Sequence, residues 1–460
     1  MKLLIIADDL SGAADCAIGF ANAGHRTVVT LDPSDAAHAA DVIAADTDTR
    51  RLTPADAAGR TAQAFAALGR ERRLYKKIDS TLRGNWAAEV AALQAHAGLA
   101  IVAPAFPATG RTVRGGALLV HGVPLEQTET WQLEHAGRSA DMAAMLAAAG
   151  LKSERFNAAL LHHEPRALAR RAALIAAEGA DGAQALIVDA QSADDLRALA
   201  HATLALESAF FWVGSGGLAR ELATLDLPRA DDTRDTETED HGVSGPVLVL
   251  VGSLSAVGER QCAVLRERVG LVELVVPPEV LRAGEAHADW PHWSARIGAT
   301  LGAAGSDTRA DLLLRIGRDE AFDPAEGAHL SAMLAALVVP HFATLGGLIA
   351  TGGETARAML DAAGIGSLRL IAEIEAGVAV ARPLMQTEGR SHRPAVVTKA
   401  GAFGTDDALY AAWRHLGDMR VGDMRVGDMR VGDMRVGDMR VGDMRVGDMR
   451  RETPTQSTTH

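Results

Sequence analysis

The sequence predicts an α/β protein of two domains with mostly parallel sheets. Three observations carry that prediction. Short apolar runs alternate with Ala/Leu/Arg/Glu-rich segments through the first 416 residues, an order that places helices between parallel strands. Most of those runs end in a turn containing Gly, Ser or Asp. A chain of 460 residues is also too long for one compact core.

Taken in order, Leu3–Ile6 reads as a buried strand, Gly12–Ala23 as a helix with small residues on its packed face, and His25–Leu31 as the next strand. Further strands are expected at Val42–Ala45, Leu74–Lys77, Leu99–Ala103, Ala185–Val188, Phe210–Val213, Val247–Val251, Leu348–Thr351, Leu368–Ile371 and Ala395–Thr398. Arg229–His241 (RADDTRDTETEDH) has six acids, two arginines and no strong apolar residue. It is too polar to bury and reads as a linker. The expected organisation is therefore a domain over 1–228, an acidic linker over 229–245 and a second domain over 246–416.

Residues 417–460 stand apart. They open with GDMR followed by six copies of VGDMR. A five-residue period fits neither the 3.6 of a helix nor the 2 of a strand, and a Gly in every repeat disfavours helix by about 1 kcal/mol each. The expected helix ends at His415, and the tail is expected to be disordered. Its eight acids match its eight arginines, so the net charge of −13 belongs to residues 1–416.

Composition narrows function. An acidic balance argues against general nucleic-acid or anionic-membrane binding. Two cysteines make no disulfide scaffold and no zinc pattern. The apolar run Leu3–Ala7 stops at Asp8-Asp9, too soon for a signal-peptide core, and no membrane span is expected. A cytoplasmic location is the expectation, with a homodimer left open. No GxxxxGK[ST], GxGxxG or HExxH occurs.

Several strand ends carry chemistry. Asp8 and Asp9 follow the first strand and precede a helix, where ligands bind in open α/β sheets. One is expected to cap the helix and the other to meet a ligand hydroxyl, while Ser11 and Gly12 offer backbone N–H groups. Arg50 and Arg51 follow Val42–Ala45 and suit carboxylate or phosphate recognition. Lys76-Lys77-Ile78-Asp79-Ser80-Thr81-Leu82-Arg83 combines cations, hydroxyls and an acceptor, a set suited to a small polyhydroxy acid. Pro104–Gly116 fits a structural loop or a site wall equally well. In the second domain Gly252-Ser253-Leu254-Ser255, Gly352-Gly353-Glu354-Thr355 and Lys399-Ala400-Gly401 are Gly/Ser loops at strand ends. Converging, they would cradle phosphates through backbone N–H groups.

The motifs IADDLSGAAD, KKIDSTLRGN, PAFPATGRTVRGG, GSLS, TGGET and KAGAFG, in this order, resemble those of the four-carbon acid sugar kinases. The resemblance runs from Met1 to Trp413. KKIDSTLRGN and KAGAFG look more like the D-threonate and D-erythronate kinases than the 3-oxo-tetronate kinases. It implies that 1–228 binds the sugar acid and 246–416 binds ATP, with the site in the cleft between them. Substrate contacts are implied at Asp8, Asp9, Arg50, Arg51, Lys77, Ile78, Asp79, Ser80 and Arg83, with Asp9 or Asp79 as the catalytic carboxylate. ATP contacts are implied at Ser253, Ser255, Gly352, Gly353, Glu354, Thr355, Lys399 and Gly401. The chemistry calls for Mg²⁺, whose ligands the sequence leaves unknown. Leu254 and the repeat tail depart from the family pattern. They keep open a second reading, a non-catalytic protein that binds nucleotide or sugar acid; a 3-oxo-tetronate kinase is the alternative within the family.

Overall fold

The computed structural model describes residues 2–33, 39–129, 131–132, 137–225, 245–252, 255–302, 310–321, 323, 326–384, 394–401 and 404–427. The N-terminal strands are β1 (Leu3–Ala7), β2 (Thr27–Thr30), β3 (Val42–Asp46), β4 (Arg73–Lys77), β5 (Leu99–Ala103), β6 (Arg111–Arg114), β7 (Ala117–Val120), β8 (Val123–Pro124), β9 (Ser153–Asn157), β10 (Ala185–Asp189) and β11 (Phe210–Gly214). After residue 245 come β12 (Val247–Val251), β13 (Val272–Val276), β14 (Leu312–Ile316), β15 (Gly347–Thr351), β16 (Ser367–Glu375), β17 (Val378–Pro383) and β18 (Ala395–Lys399).

One sheet joins both parts, in the order β13-β14-β12-β15-β18-β17-β16-β2-β3-β1-β4-β11-β5-β10-β9. The eight strands from β2 to β9 pair in parallel, as do the five from β13 to β18. The sequences LLIIA of β1 and VLVLV of β12 are apolar at every position because helices cover both faces. The junction is antiparallel: β18 to β17, β17 to β16, and β16 to β2. The two parallel groups therefore run in opposite senses along a single sheet. Ser367 Oγ donates to Thr30 Oγ1 across the β16–β2 seam, at 3.2 Å.

All eleven expected strands are present within a few residues. The edge strands β9 and β13, their neighbour β14 next to β13, the return strand β17 and the small β6–β7–β8 sheet are additional. The polar Arg229–His241 segment lies outside the described residues.

One expectation changes. The terminal helix does not stop at His415 but runs from Ala408 to Gly427, into the repeats. Ala408, Leu409, Ala412 and Leu416 are buried with Val247, Val249 and Ile349. That packing supplies the nucleus, and extending an existing helix is far easier than starting one. Gly327–Thr344 is the one segment among the described residues long and apolar enough to cross a membrane by length and composition. It is a helix to Val338 and a 3₁₀ turn from Val339 to Thr344, with Leu330, Leu334, Leu337 and Val338 buried in the core.

Candidate active site

The first cluster forms at the carboxyl ends of β3, β1 and β4, which share a register: Ala7 stands beside Asp46, and Ile6 beside Lys76. Asp9 is the N-cap of the Leu10–Asn22 helix and accepts from Gly12 N at 3.1 Å. Its carboxylate also holds Arg50, accepting from Nη1 at 3.0 Å and from Nη2 at 2.9 Å. Arg50 makes a second fork to Asp8, through Nε at 2.7 Å and Nη2 at 3.1 Å. One guanidinium thus locks both acids of the Asp-Asp pair. Burial pushes the Asp8 carboxyl up, but Arg50 and Lys77 outweigh it and leave it below its ordinary value.

Asp79 closes the ring. Its Oδ1 accepts from Thr81 N at 2.8 Å, and its Oδ2 from Arg83 Nη2 at 2.7 Å, with Arg50 Nη2 3.7 Å away. Burial raises this carboxyl, and Arg83 and Arg50 more than reverse that, holding it well below the usual range. Ile78 is buried and donates its N–H to Gly214 O at 2.8 Å, which fixes the β4 turn, and Ser80 is buried beside it. Of the three carboxylates Asp9 is the most open, its side chain 20% exposed against 3% for Asp8 and 8% for Asp79.

Lys77 is buried and makes no hydrogen bond or ion pair among the described residues. Burial depresses its pKa, and the pull of Asp9 and Asp8 overcomes that, so it stays charged. Behind it Lys76 and Glu89 form a fully buried pair at 3.0 Å.

The second cluster forms where β12, β15 and β18 end. Val251 pairs with Thr351, and Thr351 with Lys399, so the three Gly/Ser loops leave the sheet at one level. Gly352 N donates to Lys399 O at 2.8 Å. Ser255 caps the Ala256–Arg268 helix, accepting from Gly258 N at 3.1 Å, and its Oγ donates to Gly401 O at 3.3 Å. Thr355 is buried, with its Oγ1 3.1 Å from Ser331 Oγ, and fills the space where a side chain on Gly252 would stand. Gly352 has φ 95°, a conformation that glycine adopts without strain. Lys399 turns its ammonium back to the Ala400 and Gly401 carbonyls, at 2.9 and 3.3 Å. Burial lowers its pKa to about 8, against the pull of Glu375. Ser253 lies outside the described residues.

The clusters touch. A Cβ placed on Gly353 would lie 3.0 Å from Asp9 Oδ2 and 3.3 Å from Ser11 Oγ. Around that point Arg51 Nε reaches Glu354 Oε1 at 2.5 Å. Arg357 Nη1 binds Asp46 Oδ2 at 2.7 Å, and its Nη2 donates to Leu31 O at 3.2 Å. On the other side Arg220 bridges Asp15 and Glu373. Arg51 and Glu354, expected on separate ligands, therefore bind each other across the seam.

The residues that join the clusters were not visible as a motif. Asp46–Arg357 and Arg220–Glu373 are separated by 311 and 153 residues. Arg111 carried a weak signal, its Arg-Thr-Val-Arg segment beside paired glycines. Asp189 accepts from Gly115 N at 2.6 Å and Gly116 N at 2.8 Å, which docks the β6–β7 hairpin beside the first cluster. Burial lowers the pKa of Arg111, while Asp79 pulls the other way.

Comparison with known proteins follows the same division. The family model described as a sugar-binding N-terminal domain matches residues 3–222, and that described as a nucleotide-binding C-terminal domain matches residues 248–409. A D-threonate kinase of Cupriavidus necator is 52% identical over 426 residues, covering 91% of this chain and 99% of its own length. A D-threonate kinase of Bordetella bronchiseptica is 33% identical over 431 residues, covering 90% and 98%. A crystal structure from Salmonella typhimurium LT2 shares the fold at a TM-score of 0.72 and 22% identity, covering 90% of this chain and 99% of its own. With both domains matched, and such identity sustained over nine-tenths of its length, the chain belongs to the four-carbon acid sugar kinase family.

Proposed function

We propose that the protein moves the γ-phosphoryl group of ATP to the terminal hydroxyl of a four-carbon sugar acid. D-threonate is the first substrate to test and D-erythronate the second. The observation that carries this reading is the contact between the clusters. The Asp9 carboxylate of the first and the Gly353 turn of the second stand at contact distance, so an acid on one and a triphosphate on the other would meet there. The 52% identity to a D-threonate kinase favours threonate.

Each residue then takes a role its surroundings support. Lys77 is a buried cation, without a hydrogen-bond or ion-pair partner among the described residues, beside two held carboxylates, which suits the substrate carboxylate. Arg83 and Arg111 add positive charge on the Asp79 side. Arg50, already engaged by Asp8 and Asp9, orients those acids. Asp9, the most open of the three, accepts the hydrogen bond and then the proton of the attacking hydroxyl. The backbone N–H groups of Gly353, Glu354 and Thr355 open a helix and suit phosphate oxygens, together with the Ser255 and Gly401 loops. Lys399 shapes the Ala400–Gly401 turn.

Among the described residues no group of three or more His, Cys, Asp or Glu side chains could hold a metal. Mg²⁺ generally binds through phosphates, waters and one or two carboxylates. We therefore propose that it arrives with the nucleotide, supplying charge neutralisation there. A cytoplasmic location belongs to the same proposal.

The test is a substrate panel with ATP and Mg²⁺: D-threonate, D-erythronate, their enantiomers and 3-oxo-tetronates, read as ADP release and as phosphorus NMR of the product. The expected result is a terminal phosphomonoester with D-threonate. A preference for 3-oxo-tetronate would transfer the protein to that branch. Nucleotide binding without a phosphoester from any acid would sink the kinase reading and support the non-catalytic one.

A further inference from the structure

Ser11 is the second residue of the Leu10–Asn22 helix and is 6% exposed. Its Oγ is fully buried and has no hydrogen-bond partner among the described residues. A buried hydroxyl in that state costs about 1–3 kcal/mol. Ser11 Oγ lies 3.3 Å, and Ser11 N 3.6 Å, from the point where a Cβ on Gly353 would stand. Asp9 Oδ2 lies 3.0 Å from the same point.

The glycine at 353 thus lets the second helix start directly against a hydroxyl, an amide nitrogen and a carboxylate, where a side chain would crowd them. Two helices also begin here, Leu10–Asn22 from one parallel group and Gly353–Ala362 from the other. Each presents the positive end of its dipole and its first-turn N–H groups, of which Gly12 N already bonds Asp9. Such a place stabilises oxyanion charge on the donor side. The carboxylate side accepts a hydroxyl proton.

We propose that Ser11 is a catalytic residue whose hydroxyl donates to a non-bridging oxygen of the phosphoryl group in transit; this rests on the kinase reading above. In the step, the terminal hydroxyl oxygen of the sugar acid bonds to the γ-phosphorus. The bond from that phosphorus to the β,γ-bridging oxygen breaks, and ADP leaves with the electron pair. The hydroxyl proton passes to Asp9. Ser11 forms no covalent bond and keeps its proton. Its hydroxyl finds its partner only when the two substrates meet.

The experiment uses the full chain with Ser11→Ala and Ser11→Thr. Three quantities are measured: kcat and KM with ATP and the accepted acid, Tm, and calorimetric binding of ADP with and without aluminium fluoride. For Ser11→Ala we expect kcat to fall on the order of 10- to 100-fold, with both KM values within about threefold. Tm is not lowered, because the change removes an unsatisfied buried group. The tightening of ADP binding by aluminium fluoride shrinks by a similar factor to kcat, while binding of ADP alone is unchanged. Ser11→Thr keeps the hydroxyl and most of kcat. Parental kcat in Ser11→Ala would overturn the assignment. So would a loss matched by weaker ADP binding or a lower Tm, which marks a structural role. If the parent itself makes no phosphoester with any acid, the kinase reading is what fails; if the parent turns over and Ser11→Ala equals it, only Ser11 is reassigned.

Discussion

At the scale of the residue, the site is decided by how few cations hold how many carboxylates. Arg50 forks to both Asp8 and Asp9 and lies 3.7 Å from Asp79. A lysine could not hold two planar acids this way, because it is a point charge without a fork. Asp8 and Asp79 are enclosed, and Asp9 is the most exposed of the three, with Oδ2 against Gly353. Asp9→Asn should therefore lower kcat on the order of 100-fold or more, with Tm little changed, since Asn also caps helices. Steady-state rates and a melting curve check this, and parental kcat in Asp9→Asn would move the base elsewhere. The sequence made these residues legible because they crowd the ends of strands. It left open which acid caps and which meets the ligand, and it gave Arg50 to the substrate. Those choices depend on pairs such as Arg50 with Asp8, 42 residues apart, which no local pattern encodes.

At the scale of the element, the Gly353–Ala362 helix is tied to the end of β3 by Arg357 and Asp46. Burial raises the Asp46 carboxyl from 3.8 to about 7, despite Arg357. The folded protein thus keeps a proton that the unfolded chain releases near pH 4. This favours folding at low pH, and the advantage is lost as pH rises through about 7. Asp46→Asn has no such titration, so its Tm relative to the parent should rise between about pH 4 and about pH 7 and level off above that. A flat or falling difference would show that Arg357 keeps the carboxylate ionised throughout.

The terminal helix gives a second element-scale prediction. Leu416 is fully buried and lies against the Gly347 position of β15. Leu416→Ala should cost about 2–5 kcal/mol, measured by denaturant unfolding, and no loss would mean that this end of the helix is undocked. The sequence pattern ended the helix at His415 because the repeats are poor helix formers by themselves. Docking of the preceding turns carries it further. Some of the missed strands have broken apolar runs: Glu273 interrupts β13, Arg315 interrupts β14, and β17 ends on Pro383. Glu273 and Arg315 pair with each other at 3.0 Å across that edge.

At the scale of the whole molecule, two parallel groups of strands run in opposite senses within one sheet, yet their carboxyl-end loops meet. Strands in a sheet twist by about 20–25° each, and four strands, β17, β16, β2 and β3, separate β18 from β1. Successive rotations over that span turn one group well away from the plane of the other. The alternation of strands and helices made the α/β class legible. The antiparallel seam was not, because Leu368–Ile371 reads as one more apolar strand whatever its direction. In the proposed function, Lys77, Arg83 and two helix N-termini of this acidic protein, net charge −13, receive the two anions. Direct transfer between them requires both substrates to be bound together. The decisive measurement is an initial-rate matrix of ADP release over ATP and D-threonate. The expected result for simultaneous binding is release that depends on the acid, with intersecting double-reciprocal lines. Release indifferent to the acid, or parallel lines that mark a phosphorylated enzyme intermediate, would contradict it.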